Sequence, residues 1–206
     1  SRRQRQMCIR DSIRTVGDPS KRFSEDGLRI LRGYRFKAAS DLWTLNDGTE
    51  LAMKECVRMI NKVSPERIGS EIRRIIELPS GGNSIKLMQE HGILEKILPG
   101  ANLPGHFHAT GDISVDMALL YCDSEVDLKT SSVIIKDTLK LTKEEVSILE
   151  VLMSLQVQNA LTSAEEVRRF HVAVPPDWKG KVVRYFESKG EDRSQILSTV
   201  GPPVAG

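Results

Sequence analysis

The sequence predicts an all-α protein, and three observations carry that prediction. Aromatic residues make up only 5% of the 206 residues, so Leu, Ile, Val and Ala must build the core, a composition that leans towards helix. Helix-start and helix-stop signals recur: Ser64-Pro65-Glu66 and Thr142-Lys143-Glu144-Glu145 as starts, Pro79 and Pro99-Gly100 as stops. No segment alternates apolar and polar residues convincingly, apart from a short stretch from Ile13 to Val16. With 39% apolar and 28% charged residues the composition is that of a soluble globular protein. No apolar run approaches the roughly 18 residues of a membrane helix, and no fixed-period repeat suggests a solenoid. Cys8, Cys56 and Cys122 have neither disulfide nor metal-ligand spacing and suit a reducing compartment, so a cytoplasmic protein is expected.

Residues 1–12, Ser-Arg-Arg-Gln-Arg-Gln-Met-Cys-Ile-Arg-Asp-Ser, do not read like the rest. They resemble a translated sequencing adapter and are set apart from the fold as a non-native segment. Their four arginines and one aspartate amount to +3, so without them the formal charge falls from +2 to −1. The competing reading is a basic arm that meets RNA phosphates.

Residues 13–23 form a lead-in with a turn at Gly17-Asp18-Pro19. A first helix is expected over 24–40, with Ser24 as its cap and Glu25 and Asp26 in its first turn, where negative charge suits the helix dipole. Leu28, Leu31, Tyr34 and Ala38 would be its apolar stripe. Asn46-Asp47-Gly48 reads as a turn with Thr49 as a cap. Residues 49–61 come next as a helix burying Leu51, Met53, Cys56, Val57 and Ile60. Ser64 caps the next helix, which buries Ile68, Ile72, Ile75 and Ile76. Ser80-Gly81-Gly82-Asn83 reads as a loop, 84–91 as a short helix stopped by Gly92, and 93–98 as a further turn or two. Residues 101–111 lack helical period and carry one Pro and two Gly, which places a domain boundary between 13–100 and 112–206. Helices are then expected near 113–122, 126–139, 142–157, 162–171, 178–188 and 191–199.

The chemistry concentrates in the first helix. Asp26, Arg29, Arg32 and Arg35 recur every third residue and make one polar stripe. A carboxylate accepts from a base amino group and an arginine donates two parallel bonds in a plane. Asp26 and Arg29 together could therefore template a nucleobase, with Arg32 and Arg35 holding phosphates. The alternative is a solvated face laced by Asp–Arg pairs, and spacing alone favours it.

A resemblance alters that balance. Ile13-Arg14-Thr15-Val16-Gly17-Asp18-Pro19, Arg22-Phe23 and Glu25-Asp26-x-Leu28-Arg29-Ile30-Leu31-Arg32-x-x-Arg35-Phe36 resemble the signature of class II tRNA nucleotidyltransferases, the CCA-adding enzymes, and the related bacterial poly(A) polymerases. Ser64-x-Glu66-Arg67-Ile68-x-x-Glu71 is similar to their next motif, and 87–100 to the segment after that motif; beyond 101 only the helical character agrees. The resemblance implies the helical neck, body and partial tail of such an enzyme, acting with CTP and ATP on the tRNA 3′ end. It implies base-templating by Asp26 and Arg29, orientation of Arg29 by Glu25, and nucleotide binding by Arg32 and Arg35. It gives Glu66 and Arg67 a bracing role. Gly27 stands where the family often has a larger residue. The family's Gly-Gly-x-Val-Arg-Asp loop, Asp-x-Asp pair and Arg-Arg-Asp-Phe segment do not occur in this sequence. The magnesium-binding head is thus expected to be missing, no catalytic or metal-ligating residue is assigned, and this fragment alone is expected to be inactive. A poly(A) polymerase, or a helical RNA-binding module without a nucleotide site, are the alternative functions.

The remaining conspicuous residues carry less. His106 and His108 would need further ligands to hold a metal, and Trp43 and Trp178 read as packing anchors rather than base-stacking platforms. Lys136, Lys140, Lys143, Arg168, Arg169, Lys179, Lys181 and Arg184 suit either a tRNA-facing surface or a generic solvated one.

Overall fold

Capping and close glycine contacts decide where the helices begin and break. The computed structural model describes residues 12–105, 107–157 and 163–190. Asp18 accepts from the Lys21 N–H and starts α1 (Pro19–Glu25). The chain then turns at Asp26, which is extended, and restarts at α2 (Leu28–Ala38). The expected 24–40 helix is therefore two helices, and Ser24 lies inside α1 rather than capping anything. The break has a steric reason: a Cβ on Gly27 would lie 2.4 Å from the Met59 carbonyl oxygen, so only glycine allows this approach.

Two residues of strand on each side, β1 (Ser12–Ile13) and β2 (Thr44–Leu45), pair in parallel, Ser12 with Thr44 and Ile13 with Leu45. Strands this short show no alternation, so periodicity gives no sign of β2. Helix α3 (Asp47–Glu55) is capped by Asn46, not Thr49; Thr49 is buried, and its N–H bonds the Asn46 side chain. Ala52 and Met53 form the buried side of α3, while the expected Leu51 is exposed. A 3₁₀ turn (Val57–Lys62) leads to α4 (Pro65–Ile76), which buries Ile68, Ile72, Ile75 and Ile76 as expected.

Helix α5 (Gly81–Glu90) starts inside the stretch that reads as a loop, because Gly81 and Gly82 are needed for contact rather than for turning. A Cβ on Gly81 would meet the Ile75 carbonyl at 2.5 Å. Helices α6 (Ile93–Ile97), α7 (Ile113–Leu120), α8 (Leu128–Leu139), α9 (Lys143–Val157), α10 (Ala164–Ala173) and α11 (Lys179–Ser188) complete the architecture. The Thr142–Glu145 capping box at the start of α9 is present in both directions. Expectations for residues 1–11, His106 and 191–206 lie outside the described residues.

Helix α2 packs on α4 and α5, α4 on α8, and α7 on α9 and α11. Buried apolar residues from Phe23 to Phe186 form one cluster. At the α4–α8 crossing an added Cβ on Gly69 would lie 2.3 Å from the Leu139 carbonyl oxygen. The 101–111 segment is tied down by Asp116, whose buried carboxyl accepts from Thr110 N at 2.7 Å, Thr110 Oγ1 at 2.9 Å and Gly111 N at 3.2 Å. Burial outweighs these donors and raises Asp116 to about 6. Among the described residues no helix is long and apolar enough to cross a membrane.

Gly69→Ala must push α4 from α8. It is expected to lower stability by about 1–3 kcal/mol, a loss of roughly 2–4 °C in melting temperature per kcal/mol, readable by thermal unfolding. Asp116 binds its proton more tightly in the folded chain than in the unfolded one. Its contribution to stability is therefore full below roughly pH 4 and is lost as pH rises through about 6. Asp116→Asn is expected to flatten that part of a stability–pH curve measured by denaturant unfolding.

Candidate functional site

The break between α1 and α2 opens a cavity of about 240 Å³ between the lead-in strand, the two helices and the start of α3. Phe23, Gly33 and Phe36 give it apolar walls, and four arginines, Arg14, Arg22, Arg29 and Arg32, line it. No Asp or Glu is among the described residues lining it. Thr15 and Thr49 supply its polar wall: the Thr15 N–H donates to Thr49 Oγ1 at 3.3 Å. Among the described residues, Thr15 Oγ1 is the single buried side-chain polar atom with no partner.

Glu25 organises two of the arginines. Its Oε2 accepts from Arg29 at 2.8 Å and from Arg22 at 2.9 Å. The Arg29 hydrogen bond holds the Glu25 carboxyl below its ordinary range. Arg29 also donates to the Arg22 carbonyl at 3.0 Å. The guanidinium of Arg29 is thus fixed by two acceptors at the cavity wall.

Asp26 sits just outside this cavity. Its Oδ1 accepts from the Leu28 N–H at 3.0 Å and its Oδ2 from Arg67 at 3.0 Å. Partial burial pushes its carboxyl up, but the Leu28 N–H and Arg67 more than offset this and leave it below the ordinary value. Arg35 points the other way, onto α4, where its Nε donates to Glu71 Oε2 at 2.8 Å. Arg32 reaches both sites: it lines the cavity, and its Nε lies 3.7 Å from Glu71 Oε1. The stripe of four expected from spacing is thus divided. Arg29 and Arg32 face the cavity, Asp26 holds the start of α2, and Arg35 anchors α2 to α4.

Of the two bracing residues, Arg67 reaches Asp26, whereas Glu66 is exposed, its carboxyl held below the ordinary range by its own N–H and the nearby Ser64 hydroxyl. The residue that sequence reasoning missed is Glu71, only 3% exposed, with Arg35, Arg32 and Arg74 around it. Its signal was present: Glu71 falls on the apolar face made by Ile68, Ile72 and Ile75, and a carboxylate there demands a cation. Arg14 and Arg22 were missed as well, because a lead-in strand and a separate helix place them. Neither Trp43 nor Trp178 lines the cavity, and His108 is exposed. Among the described residues no group of three His, Cys, Asp or Glu is placed to hold a metal ion.

Comparison with known proteins gives a consistent picture. Residues 44–103 match the family model described as "Probable RNA and SrmB- binding site of polymerase A". The chain is 39% identical to a CCA-adding enzyme of Streptococcus sanguinis over 83 residues, 40% of this chain and 21% of that protein. It is 30% identical to the CCA-adding enzyme of Staphylococcus epidermidis over 159 residues, 72% of this chain and 38% of that protein. It is 29% identical to poly(A) polymerase I of Haemophilus influenzae over 87 residues, 42% and 19% of the two chains. The chain therefore spans well under half the length of these relatives. Its fold is that of the Thermotoga maritima CCA-adding enzyme complexed with tRNA, with a TM-score of 0.69 at 16% identity over 92% of this chain and 51% of the other. A CCA-adding enzyme in complex with CTP superposes equally well, with a TM-score of 0.69 over 92% of this chain and 49% of the other.

The two arginines facing Glu71 should differ in weight. Arg35→Ala strands a buried carboxylate and is expected to cost about 2–3 kcal/mol, less than the roughly 3–5 of a fully buried pair because Arg35 keeps some hydration. Arg32→Ala breaks a longer, half-exposed contact and is expected to cost under about 1 kcal/mol. Denaturant unfolding of the two variants measures the order.

Proposed function

The chain belongs to the family of tRNA nucleotidyltransferases and poly(A) polymerases, and from that premise we propose that its cavity takes the base of an incoming CTP or ATP while its helices hold the tRNA 3′ end for CCA addition. The observation that carries this reading is the fixed Arg29 guanidinium at the wall of an arginine-lined cavity that has no acidic lining. A guanidinium held in one plane presents two parallel donors, which meet O2 and N3 of cytosine together, or place one donor on N1 of adenine. Asp26, two residues before the start of α2, supplies the acceptor for the exocyclic amine. A carboxylate has about four lone-pair sites, so Asp26 can accept from a base while keeping Arg67 and the Leu28 N–H. Glu25 orients Arg29, and Arg67 steadies Asp26. Arg14, Arg22 and Arg32 add positive charge suited to phosphates, and Arg35 acts through the anchorage of α2.

On this reading residues 13–100 select the nucleotide and residues 112–206 extend along the tRNA, and the site of action is the cytoplasm. The family's transfer chemistry calls for magnesium to activate the attacking 3′ hydroxyl and neutralise the triphosphate. Among the described residues no group of three or more His, Cys, Asp or Glu could hold a metal ion. On this reading the described residues contribute binding, orientation and base choice. The likeness to a poly(A) polymerase makes adenine-only selection the competing specificity.

Titration of the 206-residue chain with CTP, ATP, UTP and GTP separates these readings. CTP and ATP are expected to bind at least about tenfold more tightly than UTP and GTP, and Arg29→Ala to remove that preference, since one such bidentate contact is worth about 1–3 kcal/mol. Selective binding of ATP alone would assign a poly(A) polymerase. Equal binding of all four, or of none, would overturn nucleotide selection and leave an RNA-binding helical module.

A further inference from the structure

Behind the cavity runs a polar chain, buried at Tyr34 and His91 and reaching the surface at Glu50 and Lys54, that nucleotide contact does not use. Tyr34 Oη and His91 Nδ1 lie 2.7 Å apart, His91 Nε2 lies 3.1 Å from Glu50 Oε1, and the same oxygen accepts from Lys54 Nζ at 2.8 Å. The chain crosses from α2 to the end of α5 and on to α3. Tyr34 is fully buried and the His91 side chain is 4% exposed.

The proton positions follow from the partners. The Lys54 hydrogen bond keeps the Glu50 carboxyl below its ordinary range, so Glu50 is ionised and only accepts. His91 must then carry its proton on Nε2, which leaves the Nδ1 lone pair for the Tyr34 O–H. Burial drives the phenol of Tyr34 well above its usual value, so that proton stays in place. The groups facing His91 are Tyr34 from α2, Glu50 and Lys54 from α3, and Glu90 from its own helix. Burial and then Lys54 push the imidazole below its ordinary 6.5, against the pull of Glu50 and Glu90. A neutral His91 satisfies every donor and acceptor in the chain. A protonated one would set an N–H against the Tyr34 O–H and force the phenol to turn its proton into apolar surroundings.

The chain's position in the fold gives it a consequence. Tyr34 follows Arg32 and Gly33, and Glu50 follows Thr49; Arg32, Gly33 and Thr49 all line the cavity. The Met53 side chain of α3 reaches over α2 here: a Cβ on Gly33 would lie 2.9 Å from its methyl. The chain therefore links the far sides of the two helices whose near sides form the cavity wall. We infer that the Tyr34–His91–Glu50 chain is a positioning relay that fixes α2 against α3 and so sets how Arg29 and Arg32 are presented to the nucleotide, with His91 as its neutral Nε2–H centre. This rests on the nucleotide-selecting reading of the cavity.

The test is CTP titration of the 206-residue chain from about pH 5 to about pH 8, with ring-nitrogen NMR shifts reporting the His91 tautomer. Affinity is expected to be flat at high pH and to fall at least about threefold as His91 protonates. His91→Gln keeps a donor and an acceptor but cannot titrate; it should bind like the wild type near neutral pH and lose the inflection. His91→Phe, checked as folded by its melting transition, should weaken CTP about tenfold. A folded His91→Phe with unchanged affinity, or an inflection that survives in His91→Gln, would overturn the relay. Arg29→Ala is the companion measurement. If it weakens CTP while the His91 variants do not, the relay fails alone; if it changes nothing, the nucleotide-selecting reading fails and the relay's role with it.

Discussion

A carboxylate held at 3% exposure in an apolar helix face cannot stand without cations, and Glu71 is that carboxylate. Its face of α4 is otherwise isoleucine, so α4 must dock where arginines are available, and α2 supplies two of them. The docking fixes the rotation of α2 about its own axis. With Arg35 turned onto Glu71, Arg29 and Arg32 are turned towards the lead-in strand. The charge network behind α2 therefore decides which of its residues can meet a ligand in front.

Three helices hold α2 by different means. Helix α4 uses charge, α3 lays its Met53 side chain over Gly33, and α5 with its two caps uses hydrogen bonds at three levels: Ser80 N to the Ala38 carbonyl, Ser84 Oγ to the Tyr34 carbonyl, and Tyr34 Oη to His91. Residues from a strand, two helices and the start of a third then close a cavity that no one of them could form. On the proposed nucleotide-selecting reading this division suits discrimination between bases, which needs fixed donors rather than a large apolar surface.

Much of this was legible in the sequence. The apolar stripe Leu28, Leu31, Tyr34 and Ala38, the isoleucines of α4 and the Thr142–Glu145 box follow from periodicity and capping chemistry, and the structure places them accordingly. The α1–α2 break was not legible, because its cause is Met59, thirty-two residues away, and a glycine seen alone reads as a weak helix residue. The division of the arginine stripe was hidden for the same reason: spacing gives the face but not what covers it. Glu71 was the exception, visible in principle as an acid in an apolar register. Arg14 and Arg22 were not: Arg14 is placed by β1 pairing with β2 across thirty-two residues, and Arg22 by a helix that the sequence does not set apart from α2.

Arg29 has a second part beyond the cavity wall. Because α1 stops at Glu25, its last carbonyls have no helical partners, and Arg29 caps one of them, that of Arg22. A cation at that end also complements the dipole of α1. Any ligand that draws the guanidinium inward must take it from that carbonyl. For such a ligand, filling the cavity and fraying the end of α1 are one equilibrium, which the amide protons of α1 would report.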